Sequence, residues 1–258
     1  MPDSAPIPHL PGSIRACLFD LDGVITKTDV QHRQAWKRTF DPFLGGYGGE
    51  AGRPFSLGDY VRHVDGMPRH AAVHHLLASR NIPLPPGDSH DPPGRGSEHA
   101  LANRKDELLT RSLDDELIEV YPGTIRFVHA VRRAGMRTAV VSASSHCAQV
   151  LEACGADGLF DRRIDGHTVR ERGLRGKPAP DPYTEAASEL RVAPGEAAVF
   201  EDGPTGIQAA VTGGFGWIVA IDRCDRREDL TEPGPDLVVD DLAELLRPST
   251  AHDRRTPT

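Results

Sequence analysis

Residues 14–24 read IRACLFDLDGV, and this stretch decides the fold. A short apolar run that ends in acid and glycine is typical of a buried strand and is too short for a core helix. Similar runs recur at 137–142, 162–164, 197–201, 217–222 and 237–239. Helical patterns separate them, at 124–134, 146–153, 181–190, 205–212 and 242–246. This alternation predicts an α/β fold, a Rossmann-like parallel sheet covered by helices.

The segment between the first strand and residue 121 differs from the rest of the chain. It shows helical patterns at 30–43, 70–80 and 100–112, and Gly- or Pro-rich loops at 44–53 and 82–96. We therefore predict two domains, an α/β core built from residues 1–28 and 121–258 and a helical cap domain formed by residues 29–120. The Pro-rich first dozen residues are expected to form a tail.

The composition narrows the class of protein. The chain has 258 residues and a formal net charge of −8, from 30 Lys and Arg against 38 Asp and Glu. An acidic balance argues against a nucleic-acid partner, because such proteins carry a basic patch. No apolar run approaches the roughly 18 residues of a membrane helix, and no signal peptide is recognisable. Four cysteines without a C-x-x-C pair favour a reducing, cytoplasmic setting.

Polar side chains follow three of the predicted strands at the point where each strand ends. Asp20 and Asp22 follow the first strand, Ser142 ends the second, and Glu201 and Asp202 close the third. Ligands of open parallel sheets bind at the carboxyl ends of the strands, so we expect these side chains to lie together. Each residue alone would be an ordinary turn or helix-cap residue. The three strand ends taken together favour a functional site.

A cluster of carboxylates persists when a cation neutralises it. Oxygen ligands suit Mg²⁺, which makes Asp20, Asp22, Glu201 and Asp202 the predicted metal ligands. A carboxylate beside the metal can attack phosphorus and form an aspartyl-phosphate. Asp22, two residues further on, can then serve as general acid and base.

These motifs and one lysine loop resemble the four motifs of the haloacid dehalogenase (HAD) phosphotransferase superfamily. They are DLDGV at 20–24, the strand-end Ser142, Lys177 within GKPAPD at 176–181, and EDGPTG at 201–206. They occur in the family's order and cover residues 14 to about 246. The helical segment between the first and second motifs matches the family's helical cap.

The resemblance implies a role for each position. Asp20 would be the nucleophile and a Mg²⁺ ligand, and Asp22 the general acid and base, with its backbone carbonyl on the metal. Ser142 and Lys177 would hold the transferring phosphoryl group, Lys177 by offsetting its negative charge. The acids at 201 and 202 would complete the metal shell. Dehalogenases of this fold differ two residues after the nucleophile, so an acid there favours phosphoryl transfer.

Residues 20–36, DLDGVITKTDVQHRQAW, look closer to one subfamily, the β-phosphoglucomutases. By this resemblance Thr28 and His32 lie at the hinge and position Asp22. Trp36 would lie in the cap near the substrate, and Gly23 would belong to the substrate-binding loop.

Three further segments support this subfamily. GMPR at 66–69 is similar to a cap segment whose arginine, here Arg69, grips the distal phosphate. NRKD at 103–106 is similar to a second cap segment, with Lys105 on the sugar phosphate, and SAS at 142–144 places Ala143 and Ser144 against phosphate. A sugar bisphosphate carries about four negative charges, and Arg69 could clamp the second phosphate while Mg²⁺ and Lys177 serve the first.

The chain departs from that subfamily at four positions. Ser145 and His146 stand where lysine and asparagine are usual, Asp65 stands where a cap lysine often lies, and Asp106 replaces an asparagine. These departures lie in or beside the cap, which sets the substrate.

The motifs predict a Mg²⁺-dependent sugar-phosphate mutase, converting β-glucose 1-phosphate to glucose 6-phosphate through glucose 1,6-bisphosphate. The same core would serve a sugar-phosphate phosphatase, in which water hydrolyses the aspartyl-phosphate. A non-catalytic sugar-phosphate-binding protein would have lost nucleophile or metal residues, and none is lost. A monomer is expected, because this architecture needs no partner to build its site.

Overall fold

A six-stranded parallel sheet forms the centre of the computed structural model, which describes residues 7–223 and 227–247. Its strands are β2 (Ala16–Phe19), β3 (Arg137–Val141), β4 (Arg162–Ile164), β5 (Ala197–Glu201), β6 (Trp217–Ile221) and β7 (Leu237–Val239). Their spatial order is β4-β3-β2-β5-β6-β7, with parallel pairing throughout. The predicted α/β class and parallel sheet are confirmed, and β2 lies at the middle of the sheet.

Helices connect and cover the strands. Those in the described residues are α1 (Asp29–Leu44), α2 (Leu57–His63), α3 (Arg69–Ser79), α4 (Glu98–Asp115), α5 (Pro122–Arg133), α6 (Cys147–Ala153), α7 (Gly166–Glu171), α8 (Asp181–Glu189), α9 (Pro204–Thr212) and α10 (Arg227–Thr231). Both α5 and α9 begin with proline, which suits a first turn where the missing N–H has no intrahelical partner. Within the described part of the chain, no helix has the length and apolar character to cross a membrane.

The two ends of the chain differ from the prediction. Strand β1 (Ile7–Pro8) pairs antiparallel with β8 (Leu246–Arg247), where a tail and the end of a helix were expected. The preceding turn, Leu242–Leu245, is a 3₁₀ helix. Its two buried leucines are three residues apart, which matches the 3₁₀ repeat better than an α-helical one. Residues 1–6 of the expected tail and Cys224 lie outside the described residues.

Both faces of the sheet are buried. On one face Phe19 stacks on Phe200, with ring centroids 4.7 Å apart, and meets the edge of Phe127 at 6.3 Å. On the other face Leu18 and Tyr183 belong to a second apolar cluster. Strands covered on both sides read as continuous apolar runs, which is why the sequence reveals them. The packing holds the end of β2 rigidly in the middle of the sheet.

The helices of residues 29–120 follow β2, as the pattern predicts. They share an apolar cluster of their own, which includes Phe40, Phe55 and Leu76. The two segments that join them to the sheet run side by side, because Thr26 forms a β-bridge with Val120. The helices α1 and α4 also contribute apolar side chains to the cluster under the sheet. The two-domain division stays a prediction, and the name helical cap is kept for residues 29–120.

Apolar periodicity does not predict helix α2, since this helix has only seven residues. A capping box starts it. The Ser56 hydroxyl accepts a hydrogen bond from the Asp59 backbone N–H at 3.2 Å, and the Asp59 carboxylate accepts one from the Ser56 N–H at 2.8 Å. Arg53 and Arg80 hold the same carboxylate at 2.9 and 3.0 Å. The S-x-x-D spacing was the available signal.

Replacing Ser56, the N-cap residue of α2, should therefore destabilise the protein. We expect Ser56→Ala to lower the free energy of unfolding by about 1 kcal/mol, because the backbone N–H and carboxylate of Asp59 and the Arg53 guanidinium all lose the hydroxyl as a partner. Urea denaturation measures the change. Ser188→Ala is the matched control, since Ser188 is exposed within α8. Equal stabilities of the two variants would contradict the capping role.

Candidate active site

Three carboxylates meet at the carboxyl ends of β2 and β5. One oxygen from each of Asp20, Glu201 and Asp202 lies within 4.8 Å of the others. Asp20 directly follows β2 and Glu201 ends β5, and these strands are hydrogen-bonded neighbours. The fold thus brings together the acids that the strand-end pattern singled out.

Lys177 lies buried among these acids. Its ammonium donates hydrogen bonds to Asp20 Oδ1 at 2.6 Å and to Glu201 Oε1 at 2.9 Å. Burial acts to lower the pKa of Lys177, but Asp20 and Glu201 together raise it well above its usual range. The lysine therefore keeps its positive charge next to the predicted nucleophile.

One ammonium does not offset three clustered carboxylates, two of them buried. Burial, reinforced by Glu201, raises the pKa of Asp20 despite Lys177. Burial and the charge of Asp65 raise the pKa of Asp202. A divalent cation would stabilise the ionised forms of all three. Carboxylate oxygens are the donors that hard cations such as Mg²⁺ take, so the donor set fits the predicted metal.

Two glycines allow the carboxylates to pack this closely. Gly23 has φ +82°, and a Cβ there would lie 1.9 Å from Asp202 Oδ2. At Gly206 a Cβ would lie 1.5 Å from Glu201 Oε1. Any larger residue would push the metal-site acids aside. Gly23 was predicted as a substrate-loop residue, and the structure places it against an acid of the cluster.

The Asp22 carboxylate lies outside that cluster and faces Thr28 and the first turn of α1. Thr28 Oγ1 donates a hydrogen bond to Asp22 Oδ1. His32 Nε2 lies 3.6 Å from the same oxygen, and Ser142 Oγ lies 3.5 Å from Asp22 Oδ2. The side chain is thus held by groups from the linker, from α1 and from the end of β3. Its backbone carbonyl stays the predicted metal ligand.

A chain of contacts runs from the cap to Asp22. Lys105 Nζ on α4 lies 3.2 Å from His32 Nδ1 and 5.2 Å from the centre of the Trp36 ring. Burial and the nearby lysine lower the pKa of His32 to about 4, and burial lowers the pKa of Lys105 to about 8. His32 is therefore neutral near pH 7. Because an ammonium only donates, Nδ1 accepts and the proton of His32 belongs on Nε2, toward Asp22.

A second group of polar side chains joins the cap to the core, and we call Arg69, Asp106, Ser145 and His146 the seam cluster. Asp106 Oδ1 lies 3.1 Å from His146 Nε2 and 3.5 Å from Arg69 Nη1. Arg69 Nη1 also donates to Ser145 Oγ at 3.5 Å. Burial acts to raise the pKa of Asp106, but the hydrogen bond from His146 and the charge of Arg69 lower it below its usual range.

The seam cluster predicts a pH-dependent stability. The hydrogen bond to Asp106 raises the pKa of His146. This stabilisation is fully present below the unfolded histidine pKa, about 6.5, and is lost as pH rises through the raised value. We expect the difference in Tm between wild type and His146→Gln to be larger at about pH 6 than at about pH 8.5. His129→Gln, at an exposed position on α5, is the control. A difference independent of pH would contradict the pairing.

A cleft between the cap and the carboxyl ends of the central strands is lined by residues of the carboxylate cluster and of the seam cluster. Its volume is about 60 Å³, which is room for a few water molecules. The predicted site residues that line it are Asp20, Asp22, His32, Trp36, Arg69, Lys105, Ala143, Ser144, Glu201 and Asp202.

The remaining predicted residues lie around the cleft. Ser142 and Lys177 line a neighbouring cavity of about 260 Å³ that shares Arg69 with it. The Ser142 hydroxyl accepts the Ser144 N–H at 3.0 Å. Thr28 lies behind the cleft wall, where its hydroxyl is 2.7 Å from that of Thr26.

Other cleft residues had no signal in the sequence. Tyr60, Val64 and Met67 line the cleft beside Asp65. The Asp65 backbone carbonyl accepts a hydrogen bond from Thr205 Oγ1 at 2.7 Å, which joins the cap to α9. The S-x-x-D box before α2 could have located the helix that carries Tyr60, but not its position in the cleft.

The chain is similar to known proteins over most of its length. A family model described as haloacid dehalogenase-like hydrolase matches residues 14–214. The chain is 42% identical to a Mycobacterium tuberculosis protein named β-phosphoglucomutase, over 92% of this chain and 93% of that protein. It is 26% identical to validoxylamine A 7′-phosphate phosphatase of Streptomyces hygroscopicus subsp. limoneus, over 91% of this chain and 97% of that protein.

A solved structure has a fold similar to that of this chain. The crystal structure of CbbY from Rhodobacter sphaeroides in complex with phosphate is similar, with a TM-score of 0.68 and 26% identity. The match covers 90% of this chain and 96% of that one. The buried acids at the sheet edge, the matched family model and the close relatives all indicate an enzyme of phosphoryl transfer or hydrolysis. The chain belongs to the haloacid dehalogenase-like hydrolase family and, within it, to the β-phosphoglucomutase-like subfamily.

Proposed function

We propose that this enzyme is a Mg²⁺-dependent β-phosphoglucomutase that converts β-glucose 1-phosphate to glucose 6-phosphate. The observation that carries the proposal is two separate sets of cationic side chains around the cleft and the cavity beside it. Lys177 lies among the carboxylates, and the cap brings Arg69 and Lys105 to the cleft wall. A sugar bisphosphate needs cations for both phosphates, whereas hydrolysis of a simple monoester needs only the first set. The relative named β-phosphoglucomutase, at 42% identity, supports the same reaction.

In the proposed mechanism Asp20 is the nucleophile. Its carboxylate oxygen attacks the phosphorus of glucose 1,6-bisphosphate, the bond from phosphorus to the sugar oxygen breaks, and Asp22 protonates that oxygen. The aspartyl-phosphate then transfers its phosphoryl group to the 6-hydroxyl of β-glucose 1-phosphate, and Asp22 takes the proton of that hydroxyl. The bisphosphate formed in this step turns over and returns the phosphoryl group at its 1-position to Asp20, which leaves glucose 6-phosphate. A Mg²⁺ ion held by Asp20, Glu201 and Asp202 would neutralise charge on the transferring group.

The remaining side chains orient Asp22 for proton transfer and bind the transferring phosphoryl group. Thr28 and neutral His32 orient the Asp22 carboxylate toward the substrate oxygen. Lys177 holds a phosphoryl oxygen beside Asp20, and Ser142 and Ser144 supply hydroxyl donors. The cap closes over the sugar and excludes water, which limits hydrolysis of the aspartyl-phosphate. We propose that the paired linkers around Thr26 and Val120 are the hinge of this movement.

A two-product assay tests the proposal. Purified enzyme is incubated with Mg²⁺, β-glucose 1-phosphate and a trace of glucose 1,6-bisphosphate, and glucose 6-phosphate and free phosphate are followed together. Rapid formation of glucose 6-phosphate with little free phosphate is the expected result. Free phosphate without glucose 6-phosphate would establish a phosphatase, the reaction for which the Streptomyces relative is named. If the enzyme forms neither glucose 6-phosphate nor free phosphate, both the mutase and the phosphatase reactions are rejected.

A further inference from the structure

The seam cluster contains one anion between two basic groups. A single oxygen, Asp106 Oδ1, lies close to both His146 Nε2 and Arg69 Nη1, at 3.1 and 3.5 Å. Arg69 extends from the start of α3, Asp106 from α4 and His146 from the residue before α6. The carboxylate therefore links two parts of the cap with the core. Asp106 and Arg69 also line the cleft, and each side chain is about 30% exposed.

The contact of Asp106 with Arg69 involves only one guanidinium nitrogen, Nη1. It is a single long contact at 3.5 Å, whereas a phosphate can engage a guanidinium through two parallel hydrogen bonds. The hydroxyl of Ser145 is within 3.5 Å of the same guanidinium nitrogen, and Ser144 lines the same wall. The cleft lining thus offers a phosphate the Arg69 guanidinium and two serine hydroxyls, beside the Asp106 carboxylate. A phosphate bound there would compete with that carboxylate for Arg69.

We propose that Asp106 is a specificity-determining residue that holds Arg69 and His146 together in the free enzyme, and that the second phosphate of a sugar bisphosphate displaces it from Arg69. The inference rests on the proposed function. The enzyme then binds a second phosphate less tightly than it would with a neutral side chain at this position. A monophosphate bound only among the carboxylates leaves the Asp106 contacts in place. The carboxylate thus favours release of the bisphosphate between the two half-reactions.

Asp106→Asn tests the competition. The amide keeps the size of the side chain and can still accept a hydrogen bond from His146, but it carries no charge to hold Arg69. We expect the Kd for glucose 1,6-bisphosphate, measured by calorimetry with Mg²⁺, to fall about three- to tenfold, the range expected for loss of one competing, partly exposed ion pair. Binding of inorganic phosphate should change by less than about twofold. In an Arg69→Ala background the same substitution should have no such effect.

The matched control is Asp114→Asn, on the same helix. The Asp114 carboxylate also crosses the seam, accepting a hydrogen bond from Gln149 at 3.0 Å, but it does not line the cleft. Its loss should leave bisphosphate binding unchanged. Asp106→Ser provides a second uncharged variant if the amide variant folds poorly.

The outcomes separate this inference from the proposed function. If wild type forms glucose 6-phosphate but both Asp106 variants bind the bisphosphate no more tightly than wild type, the inference is overturned and the mutase remains. An equal gain in the Asp114 variant would also overturn it, because a general charge effect would then explain the result. If wild type binds inorganic phosphate but not the bisphosphate, both the mutase and the inference fall.

Discussion

Replacing Asp20 by Asn should reduce turnover by at least about 10⁴-fold, because an amide cannot attack phosphorus. Asp202 and Glu201 lie within 4.8 Å, but they belong to the other side of the cluster, on β5 and the residue after it. The rate of glucose 6-phosphate formation, together with free phosphate, measures the loss for either reaction.

The variant should keep its fold, since Asn has the size of Asp and removes one of three crowded negative charges. Its thermal unfolding midpoint is therefore the first control. Asp157→Asn, at an exposed aspartate that does not line the cleft, should retain full activity. More than about 1% residual turnover in a folded Asp20→Asn protein would reject Asp20 as the nucleophile.

Lys177→Met is expected to damage both stability and activity. The lysine side chain is only 1% exposed and pairs with two buried carboxylates, at 2.6 and 2.9 Å. Removing one partner of a buried ion pair leaves uncompensated charge and costs about 3–5 kcal/mol. Turnover should fall by about 10²–10³-fold, because a fixed positive charge beside the transferring phosphoryl group is lost. Denaturant unfolding and the product assay measure the two effects.

Arg175→Met is the matched control for that variant. Arg175 lies two residues earlier in the same loop, is 76% exposed and pairs with Asp181 at the surface. A surface pair contributes about 0–1 kcal/mol, so this substitution should change stability little. Added Mg²⁺ should restore part of the stability lost in Lys177→Met, because a divalent cation neutralises the same acids. Equal stability of the two variants would show that the buried lysine is not essential to the cluster.

The sequence by itself determined the sheet and the position of its functional edge. Strands buried on both faces must be continuous apolar runs, and Asp20 and Glu201 follow or end such runs, so local pattern alone places them at one edge. The periodicity missed α2, α7 and α10, since helices of seven, six and five residues contain too few apolar positions to show a repeat. The helix predicted over 242–246 is a 3₁₀ helix at Leu242–Leu245, and Leu246 belongs to β8, because so short a segment shows no helical repeat from which its type and end could be predicted.

Only the tertiary structure decided which side chains meet across the cleft. Asp106 and His146 are 40 residues apart, Lys105 and His32 are 73 apart, and Lys177 reaches Asp20 over 157. No local repeat connects such positions, because their separation depends on how the cap packs against the sheet. The same packing buries His32 and Lys105, which lowers the pKa of each and makes a neutral histidine the neighbour of Asp22. Burial is a property of the assembled fold, so the charge states of the site follow from its three-dimensional packing and not from residue type.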